Sequence, residues 1–445
     1  MSSGPKLAEE TRNAHRFSLY NAVNFQVTLG APMVLYAKAL GGTATTIGIV
    51  ASLAPLLTVL QLPTAYFIPK IGYKGFVLLG WVSRSVIMFS LAILPLVSAF
   101  GPETKISLLL MALFVFNVLR GISTGAWLPW LTSLVPEELR GQFLRRDQTY
   151  MQAGGMLALA TSTVILWNKA QPWQYALLFF VSALAATASL LYIKRVPDVE
   201  IGPQLKGSGQ PVPWAEMLKF EPFRRLLVFN VVYNWVIGGL AAFVIGFLQV
   251  RAGFRDGAIL ACSLLSFIGA TCCVPLAGPL LERVGCKPIL RLALVCYLWA
   301  ILCWFFVSAK LLSADRLEVS LVYFITGVAG GLFSIANTRI AMDTMPLMGR
   351  NHFFSLFTVF ASVSLGLAPV VWGIFLDLLT KTEFQLFWFN VNHYSLYFLF
   401  LVLLTLLTFY LTRPLVEKPA EPVSLALRDA IIAARLRLLN RFLNR

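Results

Sequence analysis

The sequence predicts an all-α membrane protein with twelve transmembrane helices in two six-helix, pseudo-symmetric halves. Three observations carry that prediction. The 445 residues are 58% hydrophobic and only 13% charged, with a mean hydropathy of +0.76, outside the range of a soluble globular domain. The apolar residues gather into runs close to the ~20 residues a helix needs to cross hydrocarbon. Short polar patterns from the first half return at a fixed offset in the second, the mark of an internal repeat.

Taken in order, residues 1–16 form a polar cytoplasmic tail without the apolar core and cleavage site of a signal peptide, so span 1 is expected to act as its own insertion signal. Spans 1 to 6 are predicted at 17–39, 45–69, 75–98, 106–131, 149–168 and 173–194, forming an amino-terminal half over 17–194. Residues 195–224, with Pro197, Pro203, Pro211, Pro213 and three glycines, are the cytoplasmic linker; Trp214 to Phe223 has the pattern of a short surface helix. Spans 7 to 12 follow at 225–249, 256–281, 288–309, 317–342, 351–377 and 392–412, giving a carboxyl-terminal half over 225–412. The tail, 413–445, ends in a basic amphipathic helix from Ser424, a membrane-surface anchor or a regulatory element.

The repeat is clearest in the polar break Gly278–Lys287, GPLLERVGCK, between spans 8 and 9. Gly285 permits the reversal, and Glu282, Arg283 and Lys287 hold it at the interface. At an offset of 213, AYFIPKIGYK keeps Lys70, Gly72 and Lys74 but has Pro69 at the acidic position. The same offset pairs Tyr20 and Asn21 with Tyr233 and Asn234, and Lys38 with Arg251.

Gly278, Leu280, Glu282, Arg283, Gly285 and Lys287 resemble the G-x-L-x-(D/E)-R-x-G-x-(K/R) loop of the major facilitator superfamily (MFS) of transporters. The resemblance implies the MFS fold, with parallel six-helix repeats and alternating access. It also implies that this loop, with its partial copy at Gly72 and Lys74, is a gating loop. With Pro69 the first copy lacks the acidic contact, so asymmetric gating is expected.

The net charge of +16 does not point to nucleic acid, because the basic residues lie in short loops and tails. Lys and Arg favour the loops on the side of both termini by roughly three to one, which places the termini and linker in the cytoplasm by the positive-inside rule. The expected setting is a bacterial inner or plasma membrane, with lipids and a small-molecule substrate as partners and a monomeric state.

No metal, cofactor or enzyme chemistry is expected. The six cysteines fall between Cys262 and Cys303 without C-x-x-C spacing, and no metalloprotease, hydrolase or nucleotide motif is present. No carboxylate lies in the middle of a span; Asp147, Glu282, Asp343 and Asp377 stand at helix ends, so facilitated diffusion or exchange is expected over proton coupling.

Two arginines lie deep, Arg84 in span 3 and Arg120 in span 4. A buried arginine faces protein or a water-filled cavity, so each is structural or functional. In the resembled family helices 1, 4, 7 and 10 surround the substrate, and here these carry Asn21 and Asn24, Asn117 and Arg120, Asn230 and Asn234, and Asn337. The resemblance makes them the candidate substrate contacts; the competing reading of the amides is helix-to-helix hydrogen bonding. Arg120 also resembles the family's helix-4 arginine, in RGISTG, with Ser123 at the usual glutamine and Gly125 displaced. Together these imply a secondary transporter or facilitator of a small polar or anionic solute. A transporter-like scaffold or sensor without flux is the alternative.

Overall fold

The computed structural model describes residues 4–61, 71–135, 137–167, 170–199, 214–346, 350–386 and 389–417. Pro69, most of the linker and the amphipathic tail helix lie outside these residues.

The expected spans appear as helices in the expected order. Span 1 consists of α1 (Gly4–Leu29) and α2 (Ala31–Ala39), and span 2 begins with α3 (Ala44–Thr58). Spans 3 and 4 are α4 (Tyr73–Ile93) and α5 (Pro102–Thr124), the latter followed by short α6 (Trp127–Leu134). Spans 5 and 6 are α7 (Glu137–Ile165) and α8 (Pro172–Ile193). The linker contributes α9 (Trp214–Lys219), the surface helix read from its alternation, seated by buried Met217. Span 7 is α10 (Glu221–Ile237) plus α11 (Leu240–Val250). Spans 8 to 11 are α12 (Asp256–Val284), α13 (Cys286–Ser308), α14 (Arg316–Thr344) and α15 (Arg350–Leu378). Span 12 is α16 (His393–Tyr410).

Among the described residues nine helical stretches are long and apolar enough to cross a membrane, with α10 and α11 counted together as one. Spans 1, 2 and 5 fall short for different physical reasons. Span 1 is divided at Gly30, with Pro32 in the first turn of α2, where a missing N–H costs nothing, and it carries Asn21, Asn24, Gln26 and Thr28 among its apolar residues. In span 2, α3 contains Pro55 and ends at Thr58. Helix α7 starts well ahead of the apolar run, because Glu137 to Gln148 is polar but rich in strong helix formers. Helix α1 likewise starts at Gly4, so the amino-terminal tail is largely helical rather than an irregular lead-in.

Each half packs in the same way. Spans 1·5, 1·6, 3·6, 3·4 and 2·4 touch in the first half, and 7·11, 7·12, 9·12, 9·10 and 8·10 in the second. The halves join where span 2 meets span 11 and span 5 meets span 8, contacts that a two-fold relation exchanges. The repeat extends to single backbone angles. Gly72 has φ 82° and ψ 155°, and its partner Gly285 has φ 84° and ψ −178°, a region closed to residues with a Cβ.

A two-stranded antiparallel hairpin between spans 11 and 12 was not expected from the sequence: β1 (Glu383–Leu386) pairs with β2 (Phe389–Asn392), Leu386 opposite Phe389. Asn392 ends the strand and caps α16, its Oδ1 accepting from the amides of Tyr394 and Ser395.

Candidate substrate cavity and its gates

The sequence-nominated amides are mostly engaged between helices. Asn24 donates Nδ2 to Ser182 Oγ of span 6 at 3.0 Å, and Asn234 donates to Ser364 Oγ of span 11 at 3.0 Å. Asn21 accepts from Trp81 Nε1 of span 3 at 3.0 Å. Asn337 donates to Asn230 Oδ1 at 2.7 Å, joining spans 10 and 7, while Asn117 donates to Leu113 O at 2.9 Å. Interhelical bonds of this kind are each worth roughly 0.6–1 kcal/mol in a bilayer. None of these residues is among those lining the three cavities described below.

Arg120 is clamped to span 2. Its Nη2 donates to Ala54 O and to Thr58 Oγ1 at 2.8 Å, and its Nε to Asn117 Oδ1 at 3.2 Å. Ala54 O lies just before the last turn of α3 and also accepts from Thr58 Oγ1 at 2.8 Å, near the negative end of the helix dipole. The guanidinium therefore caps that end of α3 as a cation rather than by filling an orphan carbonyl, and Gly121 beside it lets spans 4 and 2 approach to backbone contact with Leu57 O.

Arg84 has a different environment. Its Nε donates to Gly80 O at 3.2 Å, and its Cζ lies 3.7 Å from the centroid of Trp81, 5.4 Å from Phe25 and 5.7 Å from Phe116. Both Nη atoms are buried without a hydrogen-bond partner.

Among the described residues, two cavities with shared walls run between the halves, and a third adjoins them within the second half. One, of about 290 Å³, is lined by residues including Gln26, Gly30, Ala31, Gly239, Ser263, Ser266 and Tyr323. A second, of about 320 Å³, shares Gln26, Leu29, Gly30 and Phe267 and continues along span 5 past Gln152 to exposed Gln148 and Met151. A third, of about 170 Å³, lies against Tyr297, Trp304 and Thr326. The walls are apolar with a few neutral polar groups, the composition of a small-molecule site. Both helix breaks open onto the first cavity. At Gly30 it meets the amino-terminal end of α2, and at Gly238–Gly239, with Gly239 left-handed at φ 82°, that of α11. Two half-helix N-termini thus bring the positive ends of their dipoles to one chamber.

The ends of the molecule differ. At the end opposite the termini, the far end, Ala44 N and Thr45 N donate to the Asp377 carboxylate at 3.0 and 2.8 Å, across the seam of spans 2 and 11. On the other seam Tyr175 Oη donates to Asp256 at 2.9 Å and Gly257 N to Leu166 O at 3.0 Å. A Cβ on Gly48 would lie 2.2 Å from Pro369 O, so backbones touch there. At the tail end, Ser334, Thr338, Met342 and Asp343 of span 10 are exposed, as are Gln148 and Met151.

The residues that the resemblance nominates as a gating loop lie at the tail end. Glu282 and Arg283 are exposed. Lys287 N and Cys286 N donate to the Glu417 carboxylate, Lys287 Nζ to Arg413 O at 3.2 Å, and Arg291 Nε to Thr412 Oγ1 at 3.0 Å. The start of the tail is thus tied to the N-terminus of α13. Nearby, Asp147 accepts from Ser18 and lies 3.7 Å from His15, which stacks on Phe143 and Tyr150. Among the described residues no cluster of three or more His, Cys, Asp or Glu is arranged to hold a metal.

A profile of the family described as Major Facilitator Superfamily matches residues 17–314 and 256–443. The chain belongs to the Major Facilitator Superfamily. Solved members show how closely the superfamily architecture is kept at low identity. A mutant of the nucleoside transporter NupG superposes with a TM-score of 0.69 at 12% identity, covering 91% of this chain and 99% of that one. A bacterial homologue of the human lysosomal transporter Spinster, inward-facing and unoccupied, gives 0.68 at 14% identity over 93% and 98% of the two chains. The xylose transporter XylE from E. coli, inward-open, gives 0.65 at 10% over 94% and 97%. No curated protein matches in sequence. As a superfamily member the chain is a multi-pass integral membrane protein of the secondary-transporter class.

The cavity residues Gln26, Gln148, Gln152, Ser263 and Ser266 were not singled out from the sequence. The available signal was the i, i+4 pair Gln148 and Gln152 on span 5 and the lone Gln26 within span 1.

Proposed function

We propose that this protein carries a small solute bearing an anionic group across the membrane by alternating access, and that the arrangement seen is its inward-open state. The observation that carries the reading is the chamber between the halves where the N-termini of α2 and α11 converge. Broken helices that aim half-helix N-termini at an anion are a known transporter device. Gln26, Ser263, Ser266 and Tyr323 supply neutral hydrogen bonds for the rest of the solute. The excess of Lys and Arg in the loops on the tail side supports a cytoplasmic tail end. With the far end sealed and the chamber continuing toward Gln148, the solute then leaves inward.

The test pairs binding with flux. Purified protein is screened by thermal unfolding against small organic acids and their neutral amides or alcohols, since a ligand of the folded state raises its apparent stability. Acids are expected to stabilise more than their neutral counterparts, and the best of them to move into vesicles holding the protein. Folded protein that moves no solute in vesicles would favour the scaffold or sensor reading instead.

A further inference from the structure

We propose that Arg84 is an anion-binding residue reached from the cavity past Phe25, and that the group it takes is a carboxylate on the carried solute. The proposal deepens the transport reading above and rests on it.

Arg84 is only 3% exposed. One of its five N–H bonds is used, from Nε to Gly80 O, and the four on Nη1 and Nη2 have no acceptor. Trp81, Phe25 and Phe116 surround the guanidinium. Ring faces attract a desolvated cation, but they do not satisfy a planar fork of hydrogen-bond donors. Removing a charge from water costs several kcal/mol unless it is paired and hydrogen-bonded. Arg120, one helix away, meets that requirement with a carbonyl, a hydroxyl and an amide. Arg84 does not, and a carboxylate is the group that would satisfy the unused side of its fork with two parallel bonds.

The route to it is a single ring. Phe25 lines the tail-side cavity beside Gln26, Leu29 and Gly30, and the centroid of the same ring is 5.4 Å from Arg84 Cζ. A rotamer change of Phe25 would therefore join the guanidinium to the cavity. A single cation among aromatic rings suits a monoanion with an apolar body. A phosphate dianion would need further donors.

The experiment uses the full-length protein in detergent and in vesicles, with benzoate, benzyl alcohol and chloride as probes. Benzoate is expected to raise the unfolding midpoint of the wild type, whereas benzyl alcohol and chloride do not. Arg84→Met removes the buried charge while keeping an apolar chain; it should unfold at a higher temperature than wild type without ligand. It should also need about tenfold more benzoate, or more, for the same shift. Phe25→Ala keeps Arg84 and removes the barrier, so half-saturation should fall. Arg84→Lys, which keeps charge but not the fork, should behave like Arg84→Met toward benzoate.

An undiminished benzoate response in Arg84→Met or Arg84→Lys would overturn the proposal. So would a wild type that responds to chloride alone, or a Phe25→Ala variant with unchanged half-saturation. If vesicles carry neutral solutes but not benzoate, this inference fails together with the anionic part of the reading above, and transport by alternating access stands. If folded protein carries nothing, the transport reading fails first.

Discussion

At the far end, spans 2 and 11 meet backbone to backbone at Gly48 and Pro369, and the Asp377 carboxylate receives the first two amides of α3. At the tail end the cavity instead continues to exposed Gln148 and Met151, and Glu282 and Arg283 stand in the open. The sealed end uses groups whose partners are fixed backbone, so closure there needs little side-chain ordering. The open end carries long charged side chains, which must give up rotamer freedom to close. The difference teaches that the two ends of this transporter are chemically unlike, and under the alternating-access reading the far seam is expected to set the resting arrangement.

The comparison breaks most completely with Gly48→Leu. A branched side chain cannot fit where a Cβ alone would lie 2.2 Å from a carbonyl oxygen. The far seam is expected to stay parted, with transport lost. An impermeant thiol reagent outside the cell should then reach a cysteine placed at Ser263 in a cysteine-free background. Unchanged labelling would show that the seam is not the barrier.

Asp377→Ala removes one anion and two charge-assisted hydrogen bonds at a helix N-terminus. Bonds of that class contribute roughly 1.5–3 kcal/mol each. A shift of about tenfold or more toward the far-end-open state is expected, read as faster labelling of the same cysteine. Tyr175→Phe, which removes only the bond to Asp256, should shift it by less.

Arg120→Gln addresses the tail-end terminus of α3. If the guanidinium is chiefly a C-cap, the variant unfolds at a lower temperature by the loss of about 1.5–3 kcal/mol, with or without ligand. If Arg120 is instead a substrate contact, the apo protein is unaffected and only the ligand response drops. The smallest effect is expected at the open loop, where Glu282→Gln should alter transport rate modestly yet more than Pro69→Ala, because only the second copy has an acidic group to lose. Equal rates at matched expression would remove the asymmetry.

The fold was legible because a bilayer imposes length and polarity on each segment, and duplicated sequence leaves duplicated geometry, as Gly72 and Gly285 show. Helix breaks were harder to read. Gly30, Gly238 and Gly239 lie within continuous apolar runs, where hydropathy is blind to backbone direction. The hairpin Glu383–Asn392 was hidden for the opposite reason, its alternation being too short to stand out beside long apolar spans. The site was less legible because a buried amide has the same sequence signature whether it faces solute or a neighbouring helix. Asn24 and Ser182, or Asn234 and Ser364, are told apart from cavity contacts only when the partner helix is seen. The two arginines were equally ambiguous: Pro55, span 2 and Arg120 had to be brought together before the cap became visible.

The joints at Gly30 and Gly238–Gly239 place a pivot at the chamber wall in one span of each half. The short outer segments α2 and α11 are thus separate rods, and they can tilt over the solute while α1 and α10 keep their packing on spans 5, 6, 11 and 12. Under the alternating-access reading the cycle would then pass through a doubly shut, occluded intermediate instead of exchanging one open mouth for the other in a single swing. Such a sequence admits one solute per turnover and keeps the membrane tight to ions throughout, so vesicles loaded with the protein should hold a salt gradient while they exchange solute.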